Sequence, residues 1–152
     1  MRIIAIPTNV ADSVRATGVA PRYNHPAHTD TATGYGPCRH CLRTFRVGDE
    51  QRTLFTYDPF DGIESLPLPG PVYIHAGACT RYAENGGYPA DLRQYASVLN
   101  AYAKGPKLLA QVYTEPGEAE ARIFDLLANP EVDYIEVRDR KAGCFDFRVE
   151  RG

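Results

Sequence analysis

Two cysteines separated by two residues are the first feature of this sequence that could do chemistry. Cys38 and Cys41 lie in the stretch GPCRHCLR, and a C-x-x-C turn lets both sulfurs face one point. His75 and Cys79, in the stretch HAGAC, offer a second pair at the end of an expected strand, with small residues between them. Together the pairs form a Cys3His set, which is a donor set that holds Zn²⁺ in a tetrahedron. The glycine that usually follows a zinc-knuckle cysteine is missing, because Leu42 takes its place.

Two histidines form a rival pair for the same metal. His25 and His28, in the stretch HPAH, could complete a compact His2Cys2 site with Cys38 and Cys41. We rank this set second, because histidines in a polar loop are commonly solvated, and the role of the two residues stays open. His40 lies inside the C-x-x-C pair, so it would point away from the metal and either contact the ligands from outside or be exposed.

An enzyme site without metal is the main alternative. Cys38 or Cys144 would be the reactive thiol, Arg39 and Arg138 would hold a small anionic substrate, and His40 would serve as the base. The C-x-x-C pair could also act as a redox dithiol, although no strand precedes it and any helix after it would be short. The plain alternative is that the cysteines are buried and inert and that the arginines are solvated.

Length and composition exclude several classes of protein. The chain has 152 residues, of which 43% are hydrophobic and 24% are charged, and these values are typical of one globular domain. The formal net charge of −2 favours neither nucleic acid nor an acidic membrane. No apolar run is long enough for a transmembrane helix or a signal peptide, so we expect a cytoplasmic protein with reduced thiols. The partner is unknown, and a homodimer is compatible with the sequence.

The elements that must position these residues are strands more than helices. Alternating or continuous apolar patterns predict strands at 2–6, 52–58, 72–75, 107–114, 132–139 and 144–151, the last two joined by a hairpin turn at 140–143. Helical spacing predicts helices over 91–104 and 115–130 and a short one over 11–17. Residues 18–37 have no periodicity and predict a long irregular loop. The sequence therefore predicts a single α+β domain over 1–152, with about six strands in a mixed, largely antiparallel sheet and two or three helices.

Several segments resemble those of a bacterial family known as domain-of-unknown-function family 1203. They span most of the chain and are GPCRHCLRTFRVGDE, LFTYDPF, PGPVYIHAGACTRY and DYIEVRDRKAGCFDFRVER. The resemblance is most specific in PCRHCL and RKAGCF. It implies a similar length but no activity, because the family has none that could be carried over. It is compatible with a zinc-bearing branch of the family, or with a shared function built on Cys38, Arg39, Arg138 and Cys144.

The sequence therefore favours a small binding or accessory protein with a structural zinc. The predicted zinc ligands are Cys38, Cys41, His75 and Cys79. The alternative is an enzyme with a cysteine and arginine pocket for a small anionic substrate, in which Cys144 and His40 are the candidate catalytic residues.

Overall fold

Eight strands and two helices form the protein in a computed structural model that describes residues 1–152. The strands are β1 (Arg2–Ile4), β2 (His28–Thr31), β3 (Gln51–Tyr57), β4 (Gly70–His75), β5 (Ser97–Tyr102), β6 (Leu108–Thr114), β7 (Tyr134–Asp139) and β8 (Phe145–Glu150). The helices are α1 (Thr8–Thr17) and α2 (Ala119–Ala128), and one turn of 3-10 helix covers Ala90–Leu92. The predicted α+β class is confirmed. The strands form two sheets, however, and every pair in them is antiparallel.

The larger sheet has five strands in the order β1-β8-β7-β5-β6. The predicted hairpin between β7 and β8 is present, and Gly143 takes a left-handed conformation there with φ of 75°. Its backbone N–H donates to the carbonyl of Asp139 at 2.9 Å and closes the turn. Helix α2 packs on β5 and β6 with Ala119 and Ile123 buried. The sheet and helix thereby enclose the larger of two main hydrophobic clusters.

The smaller sheet carries the chemistry-bearing segments. It has three strands in the order β2-β3-β4, and its core is a second cluster of 11 buried residues. Helix α1 contributes Ala11 and Val14 to this cluster and ends at Gly18, whose N–H donates to the carbonyl of Val14. Cys38 and Cys41 belong to the same cluster. The two thiols therefore lie in an apolar layer shared by the small sheet and α1.

The predicted helix over 91–104 is wrong. The chain makes only the 3-10 turn at Ala90–Leu92 and then forms β5, which pairs with β6 and β7. All six residues of β5 are buried because the strand lies inside the five-stranded sheet and is covered on both faces. A strand buried on both faces has no alternation of apolar and polar residues, so its pattern can match that of a helix. Gly105 and Pro106 belong to the connection between β5 and β6 and not to the end of a helix.

The predicted irregular loop at 18–37 is interrupted by β2. Residues His28–Thr31 pair with Gln51–Leu54 of β3 as an edge strand. The strand was missed because its sequence, HTDT, is polar and almost entirely exposed, whereas strand prediction relies on apolar alternation. Neither helix has the length and apolar character needed to cross a membrane.

Candidate metal centre

A tight turn places the first two cysteines. The backbone N–H of Leu42 donates to the carbonyl of Cys38 at 2.8 Å, and the N–H of Cys38 donates to the carbonyl of Arg43 at 3.0 Å. Leu42 has φ of 55°, in the left-handed region where glycine is the favoured residue. The side chain of Leu42 is only 1% exposed and belongs to the larger core. The turn thus has the conformation for which a glycine is expected, and a leucine occupies it to fill the core.

The turn is attached directly to the strand that carries the second pair. The N–H of Arg39 donates to the carbonyl of Tyr73 in β4 at 2.9 Å, which holds the C-x-x-C segment alongside this strand. His75 is the last residue of β4, and its N–H points at the sulfur of Cys38 at 3.3 Å. The small residues after His75 let the chain bend, so that Cys79 returns toward the same point.

The four predicted ligands meet in the structure. One donor atom from each of Cys38, Cys41, His75 and Cys79 lies within 4.8 Å of all the others. The sulfurs of Cys38 and Cys79 are 3.9 Å apart, and the sulfur of Cys41 is 3.4 Å from Nδ1 of His75. Zn–S bonds of about 2.3 Å and Zn–N bonds of about 2.0 Å in a tetrahedron require separations of about 3.8 Å and about 3.5 Å. The spacing of the donors therefore fits a zinc ion.

Side chains outside the ligand set contact the donors. Nη2 of Arg15 donates to the sulfur of Cys79 at 3.1 Å, and Nδ1 of His40 lies 3.2 Å from the same sulfur. Nε2 of His75 is 3.4 Å from a carboxylate oxygen of Glu50, an arrangement that orients a metal-bound imidazole. If a divalent ion were held by three thiolates, the centre would carry one negative charge, which the guanidinium of Arg15 would offset.

The close approach of the four donor groups shifts their pKa values in different directions. Hydrogen bonds from Cys41 and Cys79 lower the pKa of the Cys38 thiol despite its burial. The pKa of Cys41 is raised, because its proton is shared with the sulfur of Cys38 and because the thiol is buried. Hydrogen bonds to Cys38 and Cys79 raise the pKa of His75 to about 10, although burial acts in the opposite direction. The cluster thus favours a positive charge among its sulfur atoms, as a metal ion would provide.

The rival histidine pair is not part of this cluster. His25 is bonded through Nε2 to the hydroxyl of Thr56 at 2.7 Å and through Nδ1 to the carbonyl of Pro26 at 2.9 Å. His28 begins β2 and is exposed. The donor group that includes Cys38 and Cys41 takes its other members from His75 and Cys79. No helix starts at the C-x-x-C turn either, so the helix N-terminus that activates redox dithiols is absent.

Both predicted substrate-binding arginines make hydrogen bonds within the protein. Arg39 is buried and donates to the carbonyls of Pro37 and Phe145 at 2.6 and 2.8 Å, and its Nη2 lies 2.9 Å from a carboxylate oxygen of Asp146. Arg138 makes two bonds to one carboxylate oxygen of the buried Glu136, at 2.6 and 3.0 Å.

Of the two candidate catalytic residues, Cys144 lies beside these arginine contacts and His40 lies at the metal cluster. Arg138 donates to the carbonyl of Gly143 at 3.1 Å and Arg39 to that of Phe145, on either side of Cys144. Cys144 is a half-buried free thiol outside the metal cluster, with the carbonyl of Ala142 as its hydrogen-bond acceptor at 3.9 Å. His40 is almost fully buried and is held between the sulfur of Cys79 and the hydroxyl of Thr8. His40 thus occupies the outer-contact role that the sequence left open for it.

Sequence reasoning missed Arg15, Glu50 and Thr8, which support the cluster from α1 and from the start of the small sheet. Arg15 follows Ala11 by four residues, so the two share the inward face of α1. A charged residue on the buried face of a helix was the available signal for Arg15. We find no comparable signal for Glu50 or Thr8.

The metal cluster borders an open cleft of about 880 Å³. Cys41, His75 and Cys79 contribute to its wall, whereas Cys38 is fully buried beneath them. A chelator or an incoming ion can therefore approach three of the four donors from solvent. Arginines and acidic residues both line this cleft, and Arg46 is paired there with Glu50 at 3.5 Å.

Comparison with known protein families matches residues 35–151 to a family described as protein of unknown function, DUF1203. No match was found among curated proteins or among solved structures. The matched region contains all four donors of the cluster and also Cys144, whereas Arg15 and Thr8 precede it. Because the match covers well over half of the sequence, the chain belongs to the DUF1203 family.

Proposed function

We propose that the protein binds one Zn²⁺ through Cys38, Cys41, His75 and Cys79, and that this ion is structural. The observation that carries the proposal is the convergence of the four donor atoms within 4.8 Å of one another. Three soft thiolates and one imidazole in a tetrahedral arrangement suit zinc better than magnesium or calcium, which prefer oxygen ligands.

Four protein ligands support a structural ion over a catalytic one. A catalytic zinc keeps one position for water, and here the protein fills all four. The ion would connect the C-x-x-C turn to the end of β4, and Arg15 would join α1 to the same centre. These are the elements that share the smaller hydrophobic core. The site therefore supports a fold-stabilising role in a small binding or accessory protein.

Metal analysis tests the proposal directly. Protein purified without chelator should contain about one zinc per chain, and Cys41→Ser should lose most of it, because one thiolate of the tetrahedron is gone. Cys144→Ser is the matched control, since this thiol lies outside the cluster, and it should keep the zinc of the wild-type protein. Wild-type protein with little zinc, or equal zinc in Cys41→Ser and the wild type, would contradict the proposal.

A spectroscopic measurement covers the case in which Cys41→Ser fails to fold. Co²⁺ added to metal-depleted wild-type protein should give the strong visible bands of tetrahedral cobalt and the near-ultraviolet band of sulfur ligation. Added Zn²⁺ should then remove both. A spectrum typical of six oxygen or nitrogen ligands would show that the thiols do not form the site.

A further inference from the structure

A second cleft, of about 500 Å³, lies where the small sheet meets the β7–β8 hairpin. Its walls come from β3 and β4, from the segment that precedes the C-x-x-C turn, and from the hairpin residues 139–144. Its volume is within the range of small-molecule sites. None of the four zinc ligands lines it, so the cleft and the proposed metal centre share no ligand residue.

Flat side chains in fixed positions form part of this cleft. The ring of Tyr35 stacks on Tyr95 with centroids 3.7 Å apart, and its hydroxyl donates to Asp139. The ring of Tyr73 is covered by the guanidinium of Arg52 at 4.1 Å. Leu54 adds apolar surface. Because stacking and hydrogen bonds already hold these side chains, a flat apolar ligand would lose little entropy in ordering them.

Hydrogen bonds within the protein occupy every charged group of the cleft except one. Arg52 bonds Asp30 at 2.9 and 3.3 Å, and Arg39 is bound to backbone carbonyls and lies beside Asp146. Asp139 accepts the hydroxyl of Tyr35 and the backbone N–H of Lys141. The side chain of Lys141 has no hydrogen bond or ion pair in the protein, and this residue lines the cleft. Asp139 has no cationic partner, but hydroxyl and backbone donors already occupy its oxygens, so the ammonium of Lys141 is the charged group of the cleft that is free to bind an anion.

Arg39 fixes the relative position of the cleft walls. Its backbone N–H binds β4, and its guanidinium binds the carbonyl of Phe145 at the start of β8. This one residue thus ties the segment PCRHCL to the segment RKAGCF, the two that most strongly indicated the family resemblance. Cys144 lines the same cleft with a half-buried thiol that the metal centre does not use.

We propose that this cleft binds a small organic anion with a flat apolar body, such as an aromatic carboxylate. The ligand's ring would lie among Tyr35, Tyr73 and Leu54, and its anionic group would pair with the ammonium of Lys141. Arg39 is a positioning residue in this site. Cys144 lies at the wall of the cleft, so the rate at which its thiol is alkylated depends on what the cleft binds.

The alkylation of Cys144 in the zinc-loaded protein tests the charge preference. Iodoacetate is anionic and iodoacetamide is its neutral analogue; with either, the thiolate sulfur bonds to the methylene carbon while the C–I bond breaks and iodide leaves. Mass spectrometry of the peptide that contains Cys144 gives the rate for each reagent. We expect the ratio of the iodoacetate rate to the iodoacetamide rate to exceed that of a free peptide of residues 140–145, capped at both ends and carrying Arg140→Ala and Lys141→Met, by roughly fivefold to tenfold.

A matched pair of lysine variants assigns the effect. Lys141→Met should reduce the ratio to that of the free peptide, and Lys107→Met, at an exposed lysine outside the cleft, should leave it unchanged. A wild-type ratio equal to that of the peptide, or a raised ratio that Lys141→Met does not lower, would overturn the anion site.

The flat body of the ligand is tested with benzoate and acetate. Millimolar benzoate should slow the iodoacetamide reaction of Cys144 several-fold, whereas acetate at the same concentration should not. Equal rates with and without benzoate would overturn the choice of a flat apolar ligand. The proposed zinc site is tested separately, by the zinc content of the protein. A negative result for one proposal therefore does not contradict the other.

Discussion

Two side-chain donors from outside the ligand set converge on the sulfur of Cys79. Arg15 carries a permanent charge, and His40 must present a proton at Nδ1 if it is to donate to a thiolate. The hydroxyl of Thr8, 3.1 Å from Nε2, can then donate to the unprotonated nitrogen of the same ring. Burial and the nearby Arg15 lower the pKa of His40, which favours the neutral ring that this arrangement requires. Both contacts therefore direct an N–H donor at the sulfur of Cys79.

We predict that Arg15→Met weakens zinc binding without abolishing it. The substitution keeps an apolar side chain of similar length but removes the charged donor to Cys79, and loss of such an outer contact typically costs about 10- to 100-fold in metal affinity. Competition with a chromogenic chelator measures the affinity. Arg122→Met, at an exposed position of α2, is the control and should bind zinc like the wild type. Equal affinities for the two variants would refute the role of Arg15.

The C-x-x-C turn is the element in which local backbone preference and packing disagree. Leu42 has a positive φ, which costs a residue with a side chain about 1–2 kcal/mol relative to glycine. The same side chain is buried in the larger core, and truncating a buried leucine typically costs about 2–5 kcal/mol. The packing term is the larger, which explains why leucine can occupy a position whose backbone favours glycine.

This balance predicts an unusual order of stability. Leu42→Ala and Leu42→Gly should both lower the free energy of unfolding of the zinc-loaded protein, with alanine the worse of the two by about 1 kcal/mol, because alanine keeps the strain. At Val47, an exposed neighbour without a positive φ, glycine should be no better than alanine. Urea unfolding of the four variants gives the comparison. The same order at both positions would show that strain at Leu42 is negligible.

Most elements of the fold could be predicted because their signals are local. Strands β3, β4, β7 and β8 have alternating or continuous apolar residues. Helix α2 follows Pro116 and has an acidic residue in its first turn. β5 could not be identified, because a strand covered on both faces loses its alternation. β2 is an exposed polar edge strand, and its pairing with β3 depends on residues far away in the sequence. The division of the strands into two sheets is likewise a matter of long-range pairing.

The candidate site shows the same division between local and distant information. The spacings of Cys38 with Cys41 and of His75 with Cys79 are local, and they were sufficient to predict the four donors. That the two pairs meet depends on the hydrogen bond from Arg39 to Tyr73, which no short pattern reveals. The uncommitted charge of Lys141 was also hidden, because the sequence pointed to arginines that the structure pairs internally.

The molecule as a whole is tied together across its two sheets by a buried charge pair. Arg39, in the turn of the smaller core, faces Asp146 of β8 in the large sheet. The carboxylate oxygen nearest to Arg39 accepts no aligned hydrogen bond, although Nη2 lies 2.9 Å away. Burial raises the pKa of Asp146 to about 7; Arg39 and Arg138 oppose this shift, and the charge of Asp139 adds to it.

We therefore predict that Asp146 makes stability depend on pH. An aspartate in an unfolded chain has a pKa of about 3.9, so the folded protein holds this proton more tightly than the unfolded chain does. The contribution is largest below about pH 4, decreases as the pH rises to about 7 and is constant above that. Between pH 5 and pH 8, the free energy of unfolding should fall more steeply in the wild type than in Asp146→Asn.

The comparison of variants isolates this effect from zinc binding, which depends on pH in every variant. Asp125→Asn, at an exposed position of α2, should keep the wild-type slope. Urea unfolding of the zinc-saturated proteins at several pH values provides the slopes. Identical slopes in the wild type and Asp146→Asn would mean that Arg39 keeps this carboxylate ionised throughout.

The attachment of the donors at Cys41 and at His75 has a topological consequence. If one ion binds both residues, the chain between them, which contains β3 and most of β4, forms a closed loop. The entropic cost of closing a ring grows only with the logarithm of its length. Residues 64–67, between β3 and β4, can thus gain residues at little cost, whereas Asp58 and Phe60 are buried and fix the start of this connection.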